Sequence, residues 1–435
     1  MKRRLLPILM TLVLVCALPI WAAFVTSGDV TNPLVCTAGA TSPPDNTATR
    51  LKSAISNGGT VQLTEDIEIS ETLVVTRDVT LDLNGHVLKM TGDGSVLYVK
   101  KDGPNTVTLT ITDSRPQNPH TGSYADLPAG GVITGGKGPN VTGIYYDYVG
   151  GAVFLEKDTT LKLEGGTLTV NSGSSIYIDG ATLVMSGGTI TGKTVGVHNN
   201  VGTFTMTGGR ITGRSDRGVY VYNGNMTMSG TAYIGENPNA RKEDIYVYES
   251  DHKHTDLSVT GGTIAGKVRI VFLESLGPTQ EELKAAANSV VKEQGVFDGH
   301  IKVEKGTSGT CVDYNSVNFI DEVAKTRTLK LVLQPNAVEE PETPATVNGR
   351  EFMYWTKEGA SEAWDFNTVI EVPLTLYAVR TPASSSGGYY YHPTTDTKAD
   401  DAKGSPKTAD PGVALYAALS LLSLTGLTCT GRKKF

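Results

Sequence analysis

Three groups of residues in this chain have types and spacings that could do chemistry. Gly187, Gly192, Lys193 and Thr194 fit the G-x4-G-K-T pattern, in which loop N–H groups cradle a phosphate and the lysine reaches it. Asp251, His252, Lys253 and His254 place oxygen and nitrogen metal-ligand types within four residues. Asp179, Asp216 and Asp244, with Arg214 and Arg217, supply carboxyls and cations of the kind used in proton transfer. Hydrolysis of a glycosidic bond needs two such carboxyls at a defined separation.

Each group has a plainer reading. A phosphate loop needs a strand before it and a helix after it. Here the same frame recurs as Gly208-x4-Gly213-Arg214-Ser215, and alternating, strand-like text follows both copies, so a repeat accounts for the match. The histidine cluster has neither a cysteine nor a second cluster, and reads as a solvated loop. The acids and arginines read equally well as surface salt links. No catalytic residue, metal or cofactor is therefore assigned.

The elements that would position these residues are repeats. Thr160-Leu161-Lys162-Leu163-Glu164-Gly165-Gly166 returns as Thr182-Leu183-Val184-Met185-Ser186-Gly187-Gly188 and as Thr203-Phe204-Thr205-Met206-Thr207-Gly208-Gly209. Weaker copies start at Met226 and Leu257. Each unit of about 22 residues holds three alternating segments, which is the pattern of short strands with one buried face. The first carries Leu161/Leu163 and Leu183/Met185. The second carries Leu168, Ile190, Ile211, Tyr233 and Ile264. The third carries Ile176/Ile178, Val195/Val197, Val219/Val221, Ile245/Val247 and Val268/Ile270. One such unit cannot bury its inner face alone, so the units must stack. The expected fold is all-β: a parallel β-helix of about eight coils. Segments from about Asp113 to Val149 and from Glu236 to Asp256 read as insertions.

Aligning the inner pairs of the third segments puts Tyr98, Phe154, Tyr177, Gly196, Tyr220 and Tyr246 on one outward face. Tyr222 and Tyr248 lie two residues further on. This row has two readings. It is a sugar-binding platform, since tyrosine offers an apolar face and a polar tip. Or it is a ladder that stiffens the rod, or that the Asp113–Val149 segment covers.

Composition excludes several classes. Acids number 45 against 38 bases, which argues against a nucleic-acid partner. Charged residues are 19%, too few for a coiled coil, and the 49 glycines do not fall at every third position as in collagen. Cys16 and Cys429 lie in the two terminal segments, leaving Cys36 and Cys311 and no disulfide framework.

The two ends read as addresses. Lys2-Arg3-Arg4, the apolar run Leu5 to Ile20 and Trp21-Ala22-Ala23 have the form of a secretory signal peptide. The alternative is an uncleaved membrane anchor. Ser405-Pro406-Lys407-Thr408-Ala409, an apolar run from Val413 to Cys429 and Arg432-Lys433-Lys434 resemble the LPxTG-type sorting signal of Gram-positive wall proteins. Ser405 stands for Leu and Ala409 for Gly. The resemblance implies sortase and peptidoglycan as partners, with Thr408 supplying the carbonyl that sortase attacks. It also implies contact with the membrane through 413–429. Loss of residues 1–23 removes three positive charges. Loss of 409–435 removes three more together with Asp410, taking the net charge from −7 to −12.

Two further resemblances set the expected architecture. Asp78-Val79-Thr80-Leu81-Asp82-Leu83-Asn84-Gly85-His86 resembles the opening coils of pectate-lyase-like right-handed β-helices. In such enzymes clustered acids hold calcium and a basic residue removes a proton. Phe352-Met353-Tyr354-Trp355, Trp364-Asp365-Phe366-Asn367 and Leu374-Thr375-Leu376-Tyr377-Ala378 resemble the internalin-type B repeat, a small β-grasp-like surface module. Trp355, Trp364, Phe366 and Tyr377 would form most of its core. The expected order is a signal peptide (1–23), a lead-in (24–59) and the β-helix (60–275). A helical cap and connector (276–315) follows, opened by a Thr279/Glu282 capping box and ending at Gly295. The B-repeat-like module (316–380), a flexible stalk (381–404) and the sorting signal (405–435) complete it. The expected role is that of an exported cell-surface adhesin or recognition protein, cell wall-anchored, or membrane-anchored if it is not sorted. It would bind a glycan or a host surface ligand. A polysaccharide lyase or glycoside hydrolase, and a structural spacer, are the alternatives.

Overall fold

The computed structural model describes residues 31–33, 47–139, 149–213, 216–235, 243–252, 256–291, 296–306 and 309–382. The signal-peptide, stalk and sorting-signal readings, including Ser405, Pro406, Lys407, Thr408 and Ala409, lie outside these residues. Among the described residues no helix is long and apolar enough to cross a membrane.

The alternating segments fold as short strands, and the fold is all-β and largely parallel. Successive strands join different sheets, so each strand pairs with the strand three places on. Thr159–Leu163 pairs with Thr182–Met185, Thr167–Thr169 with Thr189–Gly192, and Ser174–Asp179 with Val195–Asn200, all parallel. Among the described residues this yields sheets of nine, thirteen and nine strands. The first-segment residues stack in register: Leu161 on Leu183, Phe204, Met226 and Leu257. All are buried in one continuous apolar core. Each residue removed from water there contributes roughly 1.5–3 kcal/mol. The second glycine of each Gly-Gly pair turns the corner: Gly166, Gly188, Gly209 and Gly262 have φ of 78°, 74°, 81° and 80°.

Several sequence expectations need correction. In the second segment the buried residue is Ile234, which pairs with Ile211 and Ile264. Tyr233 points outward and pairs with Arg210, whose guanidinium lies 3.9 Å from its ring. The stretch from Asp113 to Val149 is not wholly an insertion, because Val132–Thr134 takes its place in the third sheet between Val87–Met90 and Thr167–Thr169. Ile245–Glu249, whose Ile245/Val247 pair the sequence reading placed among the third segments, is a strand with partners on both sides, so the stretch from Glu236 to Asp256 is not wholly an insertion either.

Two α-helices occur among the described residues. Thr47–Asn57, which the sequence reading left as lead-in, buries Leu51, Ala54 and Ile55. Gln280–Val290 has its capping box: Thr279 Oγ1 accepts from Glu282 N at 3.2 Å, and Glu282 Oε2 accepts from Thr279 N at 2.7 Å. It ends at Val290 rather than Gly295, with Val291 already extended. Its buried residues Leu283, Ala286, Ala287 and Val290 pack beside Leu257–Val259, the last strand of the first sheet, which blunts that edge.

Beyond the helix, Cys311–Asp321 pairs antiparallel with His300–Lys305 and with Thr326–Leu333, and parallel with Leu374–Arg380. This strand crosses from residue 315 to 316, so the two regions share one sheet. A second core holds Val317, Phe319, Val332, Val338, Trp355, Ile370 and Leu376, with Trp364 and Phe366 packed against it. Tyr377 is not part of it: Leu376 takes the inward position. Cys311 is free and half-buried.

Candidate functional site

The aromatic row lies on the thirteen-stranded sheet, where alternation sends every second side chain outward. Register stacks Tyr98 on Phe154, Phe154 on Tyr177, Tyr177 on His198, His198 on Tyr220 and Tyr220 on Tyr246. Gly196, expected opposite Tyr177, is not in the row. The inward pair of that strand is Val197 and Asn199, not Val195 and Val197, so His198 fills the place and there is no gap. Asn199 can face the core because its amide is satisfied there. It donates to Gly202 O at 3.1 Å and to Asn225 O at 3.0 Å, and accepts from Gly202 N at 3.0 Å.

Consecutive rings touch along the whole row. Centroid separations are 5.4 Å for Tyr98–Phe154, 5.1 Å for Phe154–Tyr177, 4.9 Å for Tyr177–His198, 4.6 Å for His198–Tyr220 and 5.4 Å for Tyr220–Tyr246. Beside it, Tyr222 and Tyr248 stack at 5.7 Å with planes 5° apart. The middle of the row is covered. Tyr177 and His198 are each 2% exposed, and Val149 and Val195 pack on this part. Tyr98, Phe154, Tyr220, Tyr222, Tyr246 and Tyr248 are half-buried and reachable from solvent.

Two residues on from Phe154, Tyr177 and His198 stand Glu156, Asp179 and Asn200. The Glu156 carboxylate bonds the Tyr98 hydroxyl, and burial together with that carboxylate holds the phenol above its ordinary pKa. Asp179 accepts from Asn200 at 2.8 Å. Next to Tyr98 and Phe154 a cavity of about 390 Å³ is lined also by Thr72, Gly94, Ser95 and Pro139. That size is within the range of small-ligand sites.

At the other end of the row the aromatics give way to charge. Arg217 lies 4.0 Å over the Tyr246 ring, while its guanidinium meets Asp216 at 2.9 Å and Glu243 at 3.5 Å. Arg269, paired in register with Tyr246, reaches Glu243 at 3.4 Å and Glu304 through its Nε at 2.7 Å. Asp216 and Asp244 are buried. Burial alone pushes the Asp244 carboxyl up to about 6. His198 is driven the other way, down to about 3, by burial first and by Arg217 second. Arg214 lies outside the described residues.

The remaining motifs are also placed. Thr189–Gly192 is followed by the strand Val195–Asn200, so no helix N-terminus faces Gly187–Thr194. A side chain at Gly192 would strike the Val195 carbonyl oxygen, and one at Gly213 that of Arg217: these glycines are corners, not a phosphate loop. Asp251 and His252 meet Glu249 at the end of the strand that carries Tyr246 and Tyr248. Sequence reasoning missed Glu249, which alternation would place facing inward. Lys253 and His254 lie outside the described residues.

Comparison with protein-family models, with curated proteins and with solved structures yields no match.

Proposed function

We propose that the chain is an exported surface protein that recognises a polysaccharide along the aromatic row of a right-handed parallel β-helix. The observation that carries this reading is the set of half-buried rings at one outward position of the strands, Tyr98 and Phe154 toward one end and Tyr220 and Tyr246 toward the other, with Glu156 bonding Tyr98 and with Tyr222 and Tyr248 beside the second pair. Rings bind the apolar face of a sugar, and the neighbouring polar groups take its hydroxyls. The strand spacing of about 4.8 Å repeats the rings regularly. Anchoring to peptidoglycan by a sortase acting at Thr408, and a B-repeat-like module below the rod, belong to the same proposal. They rest on the sequence resemblances.

The test is glycan binding, on an array and in solution, by the protein and by Tyr220→Ala and Tyr246→Ala. Loss of binding by folded variants supports the platform. Unchanged binding with lowered stability overturns it in favour of a stiffening ladder, the role that the buried Tyr177 and His198 play at the centre. Anchoring is tested by release with a wall-digesting enzyme and by its loss in Thr408→Ala.

One observation favours an enzyme as second reading. Asp244, held near 6, is poised as a general acid close to neutral pH. Its burial and the engagement of neighbouring Asp216 by Arg217 weigh against access by a substrate. A reducing-sugar or unsaturated-product assay across pectins and host glycans separates the two readings.

A further inference from the structure

We propose that Glu249, Asp251 and His252 form a binding site for a divalent transition metal, with zinc as the best-fitting ion. The site begins on a fixed frame. Ile245–Glu249 is paired on both sides, and the Glu249 carbonyl accepts from Leu273 N at 2.8 Å. The following turn is held by Asn223, whose side chain accepts from Ser250 N at 2.7 Å and donates to Ser250 Oγ at 2.6 Å. Asp251 and His252 therefore leave the strand end in a set direction, back toward Glu249.

The three donor atoms lie within 4.8 Å of one another. His252 Nε2 is 3.4 Å from Glu249 Oε2 and 3.3 Å from Asp251 Oδ1. A charge-assisted hydrogen bond between imidazolium and carboxylate draws in to about 2.7–2.9 Å. Ligands bonded at 2.0–2.2 Å around a tetrahedral ion are instead about 3.3–3.6 Å apart, which is the spacing from His252 to each of the two carboxylates.

Charge and exposure agree with that geometry. Two carboxylates and a neutral imidazole present a charge of −2 to the ion. The Glu249 side chain is 0% exposed, a setting in which a cation is a strong partner for a carboxylate. His252 is half-buried and Asp251 exposed, so the site opens outward, leaving a fourth position for water. One imidazole with two oxygens suits zinc and its neighbours. Calcium and magnesium prefer six or more oxygens. Bound metal would tie down the turn directly after Tyr248.

The experiment uses the full chain, treated with chelator and dialysed. Zinc and cobalt are titrated by calorimetry, with visible absorption for cobalt. The expected result is one zinc ion per chain at this site, tetrahedral cobalt bands, a zinc-dependent rise in Tm and no competition by calcium or magnesium. Glu249→Gln and His252→Gln should each weaken binding about tenfold or more and abolish the cobalt bands. Should Glu249→Gln fail to fold, His252→Gln decides, since His252 is half-buried at the surface. Absence of zinc binding by the parent protein, preference for calcium, or unchanged affinity in the variants would each overturn the proposal.

Discussion

The imidazole of His198 lies 4.6 Å from the ring of Tyr220 and 4.9 Å from that of Tyr177, closing the aromatic row into an unbroken stack. The ring is nearly without solvent contact and is held neutral, its pKa lowered to about 3. An unfolded histidine titrates near 6.5. The folded value is depressed, so its contribution is complete above about 6.5 and is lost as pH falls toward 3. His198→Gln should remove this loss, about 5 kcal/mol across the full window and about 3 kcal/mol of it by pH 4. Urea unfolding of both proteins at pH 7.5 and pH 4 measures it.

His198→Ala is expected to destabilise the fold by about 2–4 kcal/mol, because the buried stack is left with a cavity. The same substitution should change glycan affinity less than Tyr246→Ala, because His198 is covered and Tyr246 is reachable. Denaturant midpoints and binding isotherms on the same preparations check both halves.

Asn199 explains why the sequence put Gly196 rather than His198 in this row. Apolar alternation pointed to Val195 and Val197 as the inward pair, since a polar residue is rarely a core residue. Yet Asn199 stacks in register between Ile178 and Val221 and bonds three backbone groups at the next corners. Periodicity sees side-chain type, not whether an amide finds partners in neighbouring turns of the chain. The same blindness shifted Tyr233 for Ile234 and hid Val132–Thr134 inside apparent loop text. Leu51, Ala54 and Ile55 did show helical spacing, but in a stretch too short to stand out. What survived is what depends on burial alone: the first-segment stack from Leu161 to Leu257, and the outward positions of all seven proposed aromatics. Glu249 remained hidden because its partners come from a turn, which alternation does not describe. Asn199→Leu should cost about 2–4 kcal/mol despite its apolar neighbours, because it leaves buried backbone groups unpaired. Thermal and urea melts test it, with Ile178→Leu as the volume-conserving apolar control.

Arg380 and Asp321 form a buried pair in the thirteen-stranded sheet, each with a side chain 2% exposed. The guanidinium Nε reaches both carboxylate oxygens, at 3.2 and 3.0 Å, and Nη1 donates to Arg350 O at 2.9 Å. Burial raises the Asp321 carboxyl, but Arg380 and the N–H groups of Val323 and Ala324 outweigh it and leave its pKa lowered. A depressed carboxylate contributes stability above its unfolded pKa and loses it as pH falls through the folded value. Arg380→Met strands the charge and should cost about 3–5 kcal/mol. Proteolysis should then cut first within residues 326–380, and limited digestion with mass spectrometry checks this.

Asp244 has the opposite sign. Its folded pKa is raised to about 6 by burial, against about 4 unfolded, so the folded state favours the proton. That preference stabilises the fold fully below about 4 and is lost as pH rises through 6. Asp244→Asn keeps the shape without the charge. It should therefore match the parent protein near pH 4 and exceed it by up to about 3 kcal/mol at pH 8. Because the variant keeps the row intact, glycan binding should be unchanged, whereas an enzyme that used Asp244 as its acid would lose its activity. Urea unfolding at pH 4 and pH 8, with binding and turnover on the same variant, decides both points. A stability difference of equal size at the two pH values would show that the carboxyl titrates alike in the folded and unfolded chains.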